Sequence, residues 1–458
     1  VSTQTLIDGA DAPIRLVLVA ESDFSAWLDA APAATRRWAA ANGLKGEAGR
    51  HLAVPGEGGA VAEVVAVYAP DQPLWALAGL PDALPEGDYA LAGGIAPALA
   101  TQMAAGWAVG AYAFTRYRKR RRQPARLVWP DSADRAEATR IAEAIALVRD
   151  LVNTPAEDLG PSELADAAVA LGRRHGAEVR VLKGDELLAQ NYPMVHAVGR
   201  GSARAPCLVD LTWGDPAAPK VTLVGKGVCF DSGGYDLKPA SGMKLMKKDM
   251  GGSANVLGLA SLLMAGGRKI RLRVLIPAVE NLVSGTAFKP LDVIPTRKGL
   301  TVEIGNTDAE GRLILCDPLA EADSEKPAVI IDMATLTGAA RVAVGPDLPA
   351  MFCNDEQLAA DIQAAAAATG DPVWRLPLWK PYRKWLDSKV ADLNNVAESP
   401  FAGSITAALY LQEFVSPTTP WVHFDMFSWN ASARPGRPEG GEAQAIRALD
   451  RMIADRFG

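Results

Sequence analysis

From about residue 160 the chain alternates helical stretches with short apolar runs, and this alternation limits its fold more than any other feature. Helical patterns cover 162–175, 253–265 and 311–323. Apolar strand runs cover 178–182, 207–211, 221–225, 272–279 and 328–333. Strands built from near-continuous Val, Ile and Leu must be covered on both sides. Helices between them supply that cover through crossover connections, so the pattern predicts a mixed, largely parallel sheet with helices on both faces. There is no internal repeat, and the Ala-rich patch at 364–368 suits a helix.

Upstream the elements are shorter. β-rich runs at 14–19 and 60–68, with a helix at 98–115, predict a smaller N-terminal α/β domain over 1–130. The stretch 134–153 carries Ile141, Ile145, Val148 and Val152 along one face and stops at Pro155. It predicts a connecting helix and linker over 131–158, leading to a larger C-terminal α/β catalytic domain over 159–458. A length of 458 residues accommodates that division.

Composition narrows the function classes. With 49% apolar and 22% charged residues, this reads as a soluble globular chain, and its net charge of -6 gives no overall pull toward nucleic acid or anionic membrane. Cys207, Cys229, Cys316 and Cys353 lie far apart in apolar stretches and form no CxxC pair. They predict buried free thiols in a reducing, cytoplasmic compartment, and they disfavour cysteine-held zinc. His51, His175, His196 and His423 are equally scattered; the apolar neighbours of His423 give it a structural role. No secretory signal is read in the opening residues, which include Asp8, Asp11 and Glu21. Residues 89–115 lack charge and precede the basic run 116–122, a superficial likeness to a membrane span. Their Ala and Gly content, interrupted by Pro97, predicts a buried helix instead, so no membrane partner is expected. The basic run reads as a solvated loop. A polyanion-binding patch is the alternative, which leaves nucleic acid a minor option.

Two clusters carry the chemistry. Lys226, Asp231, Lys238 and Asp249 follow the strand run at 221–225, among Gly225, Gly227, Gly233 and Gly234. Asn306-Thr307-Asp308-Ala309-Glu310-Gly311-Arg312-Leu313 leads into a helix, whose start favours negative charge. Residues just past a strand's carboxyl edge are where α/β sheets build sites. Four carboxylates packed closely repel one another unless cations share them. Such a set suits hard divalent ions such as Mn²⁺ or Mg²⁺ and also accepts Zn²⁺. The pattern therefore reads as a two-metal hydrolytic site.

The same residues resemble the leucyl aminopeptidases. Val224-Gly225-Lys226-Gly227, Phe230-Asp231-Ser232-Gly233-Gly234, Leu237-Lys238-Pro239 and Met246-Lys247-Lys248-Asp249-Met250-Gly251-Gly252 match one ordered signature of that family. Residues 306–313 match a second. Ala334-Thr335-Leu336-Thr337-Gly338-Ala339 and residues 403–409 extend the likeness, which runs from about 150 to 425 and is looser upstream. The resemblance implies a metal-dependent aminopeptidase that removes the N-terminal residue from peptides bearing a free α-amine. It implies two divalent ions per subunit, Mn²⁺ or Zn²⁺, held by Lys226, Asp231, Asp249, Asp308 and Glu310. Lys238 would stabilise the oxyanion and Arg312 would hold bicarbonate as general base. Met246, Thr335 and Gly338 would shape the pocket for the first residue. A cytoplasmic homohexamer active in peptide degradation is also implied.

The likeness departs at Tyr235 and Asp236, where a small residue and Ser are usual, at Lys248, where an aromatic is common, and over 436–442. These departures put a strict leucine preference in doubt. Two competing readings are a non-catalytic scaffold or DNA-binding regulator, supported by the basic run, and a two-metal phosphoesterase.

Overall fold

The computed structural model of the chain describes residues 2–458, which form two compact units. The first comprises residues up to 146 together with 431–439; the second comprises 147–430 and 440–458.

In the first unit, strands Leu6–Ile7, Ile14–Ala20, His51–Pro55, Val61–Tyr68, Asp88–Leu91 and Arg126–Val128 make one six-stranded sheet. Ile14–Ala20 pairs in parallel with both Val61–Tyr68 and Asp88–Leu91. The uncharged stretch becomes the last residues of that strand and a helix, Pro97–Gly110, whose residues 103–109 are buried. The helix stops five residues earlier than the sequence suggests, because Ala111 caps it and the chain turns into the basic loop. No described helix is long and apolar enough to cross a membrane. Two arginines of the basic run bind within the unit: Arg120 pairs with Asp82 at 2.5 Å and Arg122 donates to the Asp82 carbonyl at 2.9 Å.

The helix α1 (Arg135–Asn153) runs across the division between the units, and its stripe of Ile141, Ile145, Val148 and Val152 is buried. The second unit holds a nine-stranded sheet built from β1 (Glu178–Lys183), β2 (Cys207–Trp213), β3 (Lys220–Gly225), β4 (Gly227–Asp231), β5 (Arg271–Asn281), β6 (Val329–Ala334), β7 (Ala350–Cys353), β8 (Trp374–Arg375) and β9 (Trp421–Asp425). Its order is β8-β7-β9-β6-β3-β5-β2-β1, with β4 also paired to β5. The central pairs β9·β6, β6·β3, β3·β5 and β5·β4 are parallel; β7·β9, β5·β2 and β2·β1 are antiparallel. The central strands are buried almost throughout, as their unbroken apolar sequence requires. Helix α2 (Pro161–His175) packs with α3 (Gly251–Ala265), and α4 (Glu310–Ser324) packs with Pro193–Gly199 and Gly403–Gln412. All four cysteines are buried and free.

A charged pair sits inside this sheet. His423 Nδ1 on β9 lies 2.5 Å from Asp332 Oδ1 on β6, and Trp421 Nε1 donates to the other Asp332 oxygen at 2.7 Å. Burial opposes charge on the imidazole, but the carboxylate of Asp332 outweighs it and holds His423 above its ordinary pKa. A raised folded-state pKa contributes stability that is complete below the unfolded value of about 6.5 and is lost as pH climbs through the raised value. The unfolding free energy of His423→Gln should therefore fall short of the parent's most below the unfolded value, and the deficit should shrink as the pH rises above it. A urea-unfolding deficit that stays constant over that range would refute a charged imidazole.

Candidate metal centre and active site

The parallel strands end along one edge, and the candidate residues stand there. Lys226 follows β3, Asp231 closes β4, Asn281 closes β5, Thr335 follows β6 and Asp425 closes β9. Asp249 comes from the turn Met246–Met250 that runs into α3. Asp308 lies on the loop before α4, and Glu310 is the first residue of that helix, where the helix dipole favours its charge.

These side chains converge. Lys226 Nζ lies 2.7 Å from Asp249 Oδ2 and 3.0 Å from Glu310 Oε1, and donates to the Thr335 carbonyl at 3.0 Å. Lys238 Nζ lies 2.5 Å from Asp308 Oδ1 and 2.8 Å from Asp231 Oδ2. Carboxylate oxygens of Asp231, Asp308 and Glu310 lie within 4.8 Å of one another. Asp231, Asp249 and Glu310 are buried; Asp308 is half-buried. Asp249 Oδ2, Asp308 Oδ1 and Glu310 Oε1 are buried, and beyond the lysine ammoniums beside them they have no hydrogen-bond partner among the described residues.

The electrostatics explain what these oxygens want. Burial foremost, then the charge of Asp231, pushes Glu310 up to about 8 and Asp308 up to about 6, despite the lysines. Burial also opposes ionisation of Asp249, but Lys226 and then Lys248 outweigh it and hold its carboxyl below the ordinary range. Burial likewise disfavours charge on Lys226 and Lys238, yet the surrounding carboxylates hold both ammoniums above their usual values. The two lysines thus provide the counter-charge, and it is insufficient for all four acids to ionise. Acidic oxygens that are buried, donor-poor and this close together fit divalent cations.

Comparison with known proteins decides the family. Residues 146–449 match the model of the cytosol aminopeptidase family, catalytic domain, and residues 13–130 match the M17 aminopeptidase, N-terminal domain. The chain belongs to the cytosol aminopeptidase family. It is 44% identical over 338 residues to peptidase B of Serratia proteamaculans, covering 71% of this chain and 78% of the relative. A crystal structure of a cytosol aminopeptidase from Coxiella burnetii superposes with a TM-score of 0.94 at 45% identity, covering 99% of this chain and 100% of the other. The bottromycin maturation enzyme BotP, solved in complex with Mn, gives a TM-score of 0.86 at 33% identity, covering 98% and 100%. The family is metal-dependent, and this member is a peptidase.

Within this aminopeptidase the remaining candidates lie around the cluster. Thr335 is buried, and its Oγ1 donates to Asp249 Oδ1 at 2.9 Å. Arg312, in the first turn of α4, donates from Nη1 to the Asn395 carbonyl at 2.7 Å, while its buried Nε has no hydrogen-bond partner among the described residues. Met246 is half-buried on the turn leading to Asp249, and Gly338 is exposed at the start of α5 (Gly338–Val344). Burial foremost pushes the Lys248 ammonium down to about 8, which leaves it protonated at neutral pH.

Sequence reasoning missed the residues that hold the loops. Asn281 Nδ2 donates to Asp231 Oδ1 at 2.9 Å and to the Thr307 carbonyl at 3.0 Å. The Thr307 hydroxyl donates to the Gly233 carbonyl at 2.7 Å, and Asp236 Oδ2 accepts from the Thr307 amide at the same distance. Asn395 accepts from the Gly305 amide at 2.8 Å and donates to the Asn306 carbonyl at 2.7 Å. Nothing local marks Asn281 or Asn395; the identity of Asp236 as a departure was the one available signal.

Two glycines are required by close approach. Gly233 has φ +91°, and a Cβ there would meet the Asp236 carbonyl at 2.4 Å. A Cβ on Gly311 would lie 2.6 Å from Lys226 Cε and 2.7 Å from its Nζ. Helices favour Ala over Gly by about 1 kcal/mol, so glycine at this position serves Lys226 rather than α4. Gly311→Ala should leave thermal unfolding of the metal-free protein nearly unchanged. It should weaken divalent-metal affinity roughly tenfold to a hundredfold in titration calorimetry, as for a disturbed ligand support. Unaltered affinity would show that Lys226 and Gly311 do not constrain each other.

Proposed function

We propose that this chain hydrolyses the N-terminal residue from peptides with a free α-amine, using two divalent cations held by Lys226, Asp231, Asp249, Asp308 and Glu310. The observation that carries the reading is the set of buried acidic oxygens served by lysine ammoniums alone, brought to one sheet edge in a member of a metal-dependent peptidase family. When bound, the cations would polarise the scissile carbonyl and acidify a water, and a bicarbonate at Arg312 would accept its proton. The Mn in the BotP complex favours Mn²⁺ here, with Zn²⁺ the alternative.

The chain's own groups have defined tasks. Asp231 and Glu310 carry charge central to the cluster and would serve both cation positions; Lys226 and Asp249 would serve one, Asp308 the other. Lys226 would have to give up a proton at Nζ to hold a cation, so metal loading would be coupled to proton release. Once Asp231 and Asp308 are committed to cations, the Lys238 ammonium is free to donate to the substrate oxygen on which negative charge develops. The unpartnered Nε of Arg312 is a buried donor suited to a small anion. Met246, Thr335 and Gly338 border the space for the first residue. The same reading makes the chain a cytoplasmic homohexamer acting in peptide degradation. Exposed Leu237, Leu291 and Phe401 offer apolar surface for copies to cover.

Leucine p-nitroanilide and its N-acetyl form distinguish this activity from a phosphoesterase or a scaffold. Cleavage of the free-amine substrate alone is expected, abolished by chelation and restored by Mn²⁺ or Zn²⁺. Failure on a panel of unblocked substrates, with metal demonstrably bound, would overturn the assignment. Asp308→Ala should lose one metal equivalent by elemental analysis along with turnover. Lys238→Ala should keep both metals and lower kcat by about a hundredfold or more; near-normal turnover would remove Lys238 from the reaction.

A further inference from the structure

The loop that delivers Lys238 has little of its own to hold it. It opens on Gly233 and Gly234, at φ +91° and +65°, and its tip, residues 235–237, is exposed. Successive glycines leave a backbone its greatest conformational freedom. Locally, the Gly234 amide donates to the Ser232 hydroxyl at 3.3 Å and the Lys238 amide to the Ser232 carbonyl at 2.9 Å. The Lys238 ammonium must nevertheless stand at one place, beside Asp231 and Asp308. A misplacement of about 1 Å can cost about a hundredfold in rate.

The two residues that depart from the aminopeptidase signature tie this loop to others. The Tyr235 hydroxyl donates to the Ser284 carbonyl at 2.9 Å. Asp236 meets Thr307 through both its backbone and its side chain. Its amide donates to the Thr307 hydroxyl at 2.8 Å, and its Oδ2 accepts from the Thr307 amide at 2.7 Å. The Thr307 hydroxyl also lies 3.0 Å from that oxygen, but it has a single proton and the Gly233 carbonyl, at 2.7 Å, is nearer. Thr307 is fully buried and immediately precedes Asp308; Asp236 stands two residues before Lys238. One side chain thus joins the loop of the lysine to the loop of the carboxylate. Because Asp236 is exposed, water screens its charge, and the directed bond to the Thr307 amide is the larger effect.

We propose that Asp236 is a positioning residue: through Thr307 it holds Lys238 and Asp308 in place relative to each other, acting as a hydrogen-bond acceptor and not as a charge. This rests on the aminopeptidase reading above and adds a residue that reading leaves without a task.

Mn²⁺ titration calorimetry of the full-length protein tests it, with Asp308→Ala identifying the binding step that belongs to Asp308. Asp236→Ala should weaken that step roughly tenfold to a hundredfold, as when a ligand loses its outer support, and leave the other step nearly unchanged. At saturating Mn²⁺ the same variant should lower kcat on leucine p-nitroanilide about tenfold or more with KM little altered, since Lys238 answers charge that develops only in the transition state. Asp236→Asn keeps the acceptor and should bring both quantities back near the parent's. Equal weakening of the two metal steps, an unaltered Asp308 step, or an unaltered kcat at saturating Mn²⁺ overturns the proposal. So does an Asn variant as impaired as the Ala variant, because charge would then be what acts. In each of these cases a parent that binds two Mn²⁺ leaves the two-metal reading standing. A parent that takes up fewer than two overturns that reading and the proposal with it.

Discussion

Negative charge confined away from water is the constraint around which the second unit is organised. Asp231, Asp249 and Glu310 are each 3% exposed or less, and Asp308 stands beside them. Water cannot screen them, so the protein must supply positive potential or leave protons on some of them. It does both. Lys226 and Lys238 provide ammoniums, the amino end of α4 provides a dipole, and Glu310 and Asp308 hold raised pKa values. The arrangement is poised for cations, and the closeness of five parallel strand ends on one edge of the sheet makes it possible.

Neutral side chains keep that crowd from flying apart. Asn281 ties Asp231 to the loop that bears Asp308, Thr307 ties the same loop to Gly233, and Asn395 links Arg312 to residues 305 and 306. None of these contacts adds charge. They fix backbone positions that repulsion among the acids would otherwise spread. The same economy separates the lysines into two kinds: those satisfied within the protein, and Lys248, which is left with an aromatic ring.

Much of this was legible in the sequence, for physical reasons. Buried parallel strands need unbroken apolar runs, so β3, β5 and β6 announce themselves. Acids among glycines just past such a run stand out because few other structures require them. The six residues that converge, Lys226, Asp231, Lys238, Asp249, Asp308 and Glu310, lie in two nearly contiguous stretches. Asn281 and Asn395 were not legible, since a single asparagine at a strand end has no local pattern and gains its role only when distant loops close. The sheet was legible as mixed, but which of its strands run antiparallel was not, because a short apolar strand looks the same in either direction.

The excursion of residues 431–439 into the first unit has a consequence for how the chain is made. Its two units are not successive beads. On the ribosome the first unit emerges early, yet its last segment is synthesised only after nearly all of the second. The first unit thus waits, incomplete, while the metal-binding edge assembles downstream. No single cut in α1 separates the units cleanly, since each half would lack or strand the returning segment. The polypeptide must be finished almost to its final helix before either part is whole.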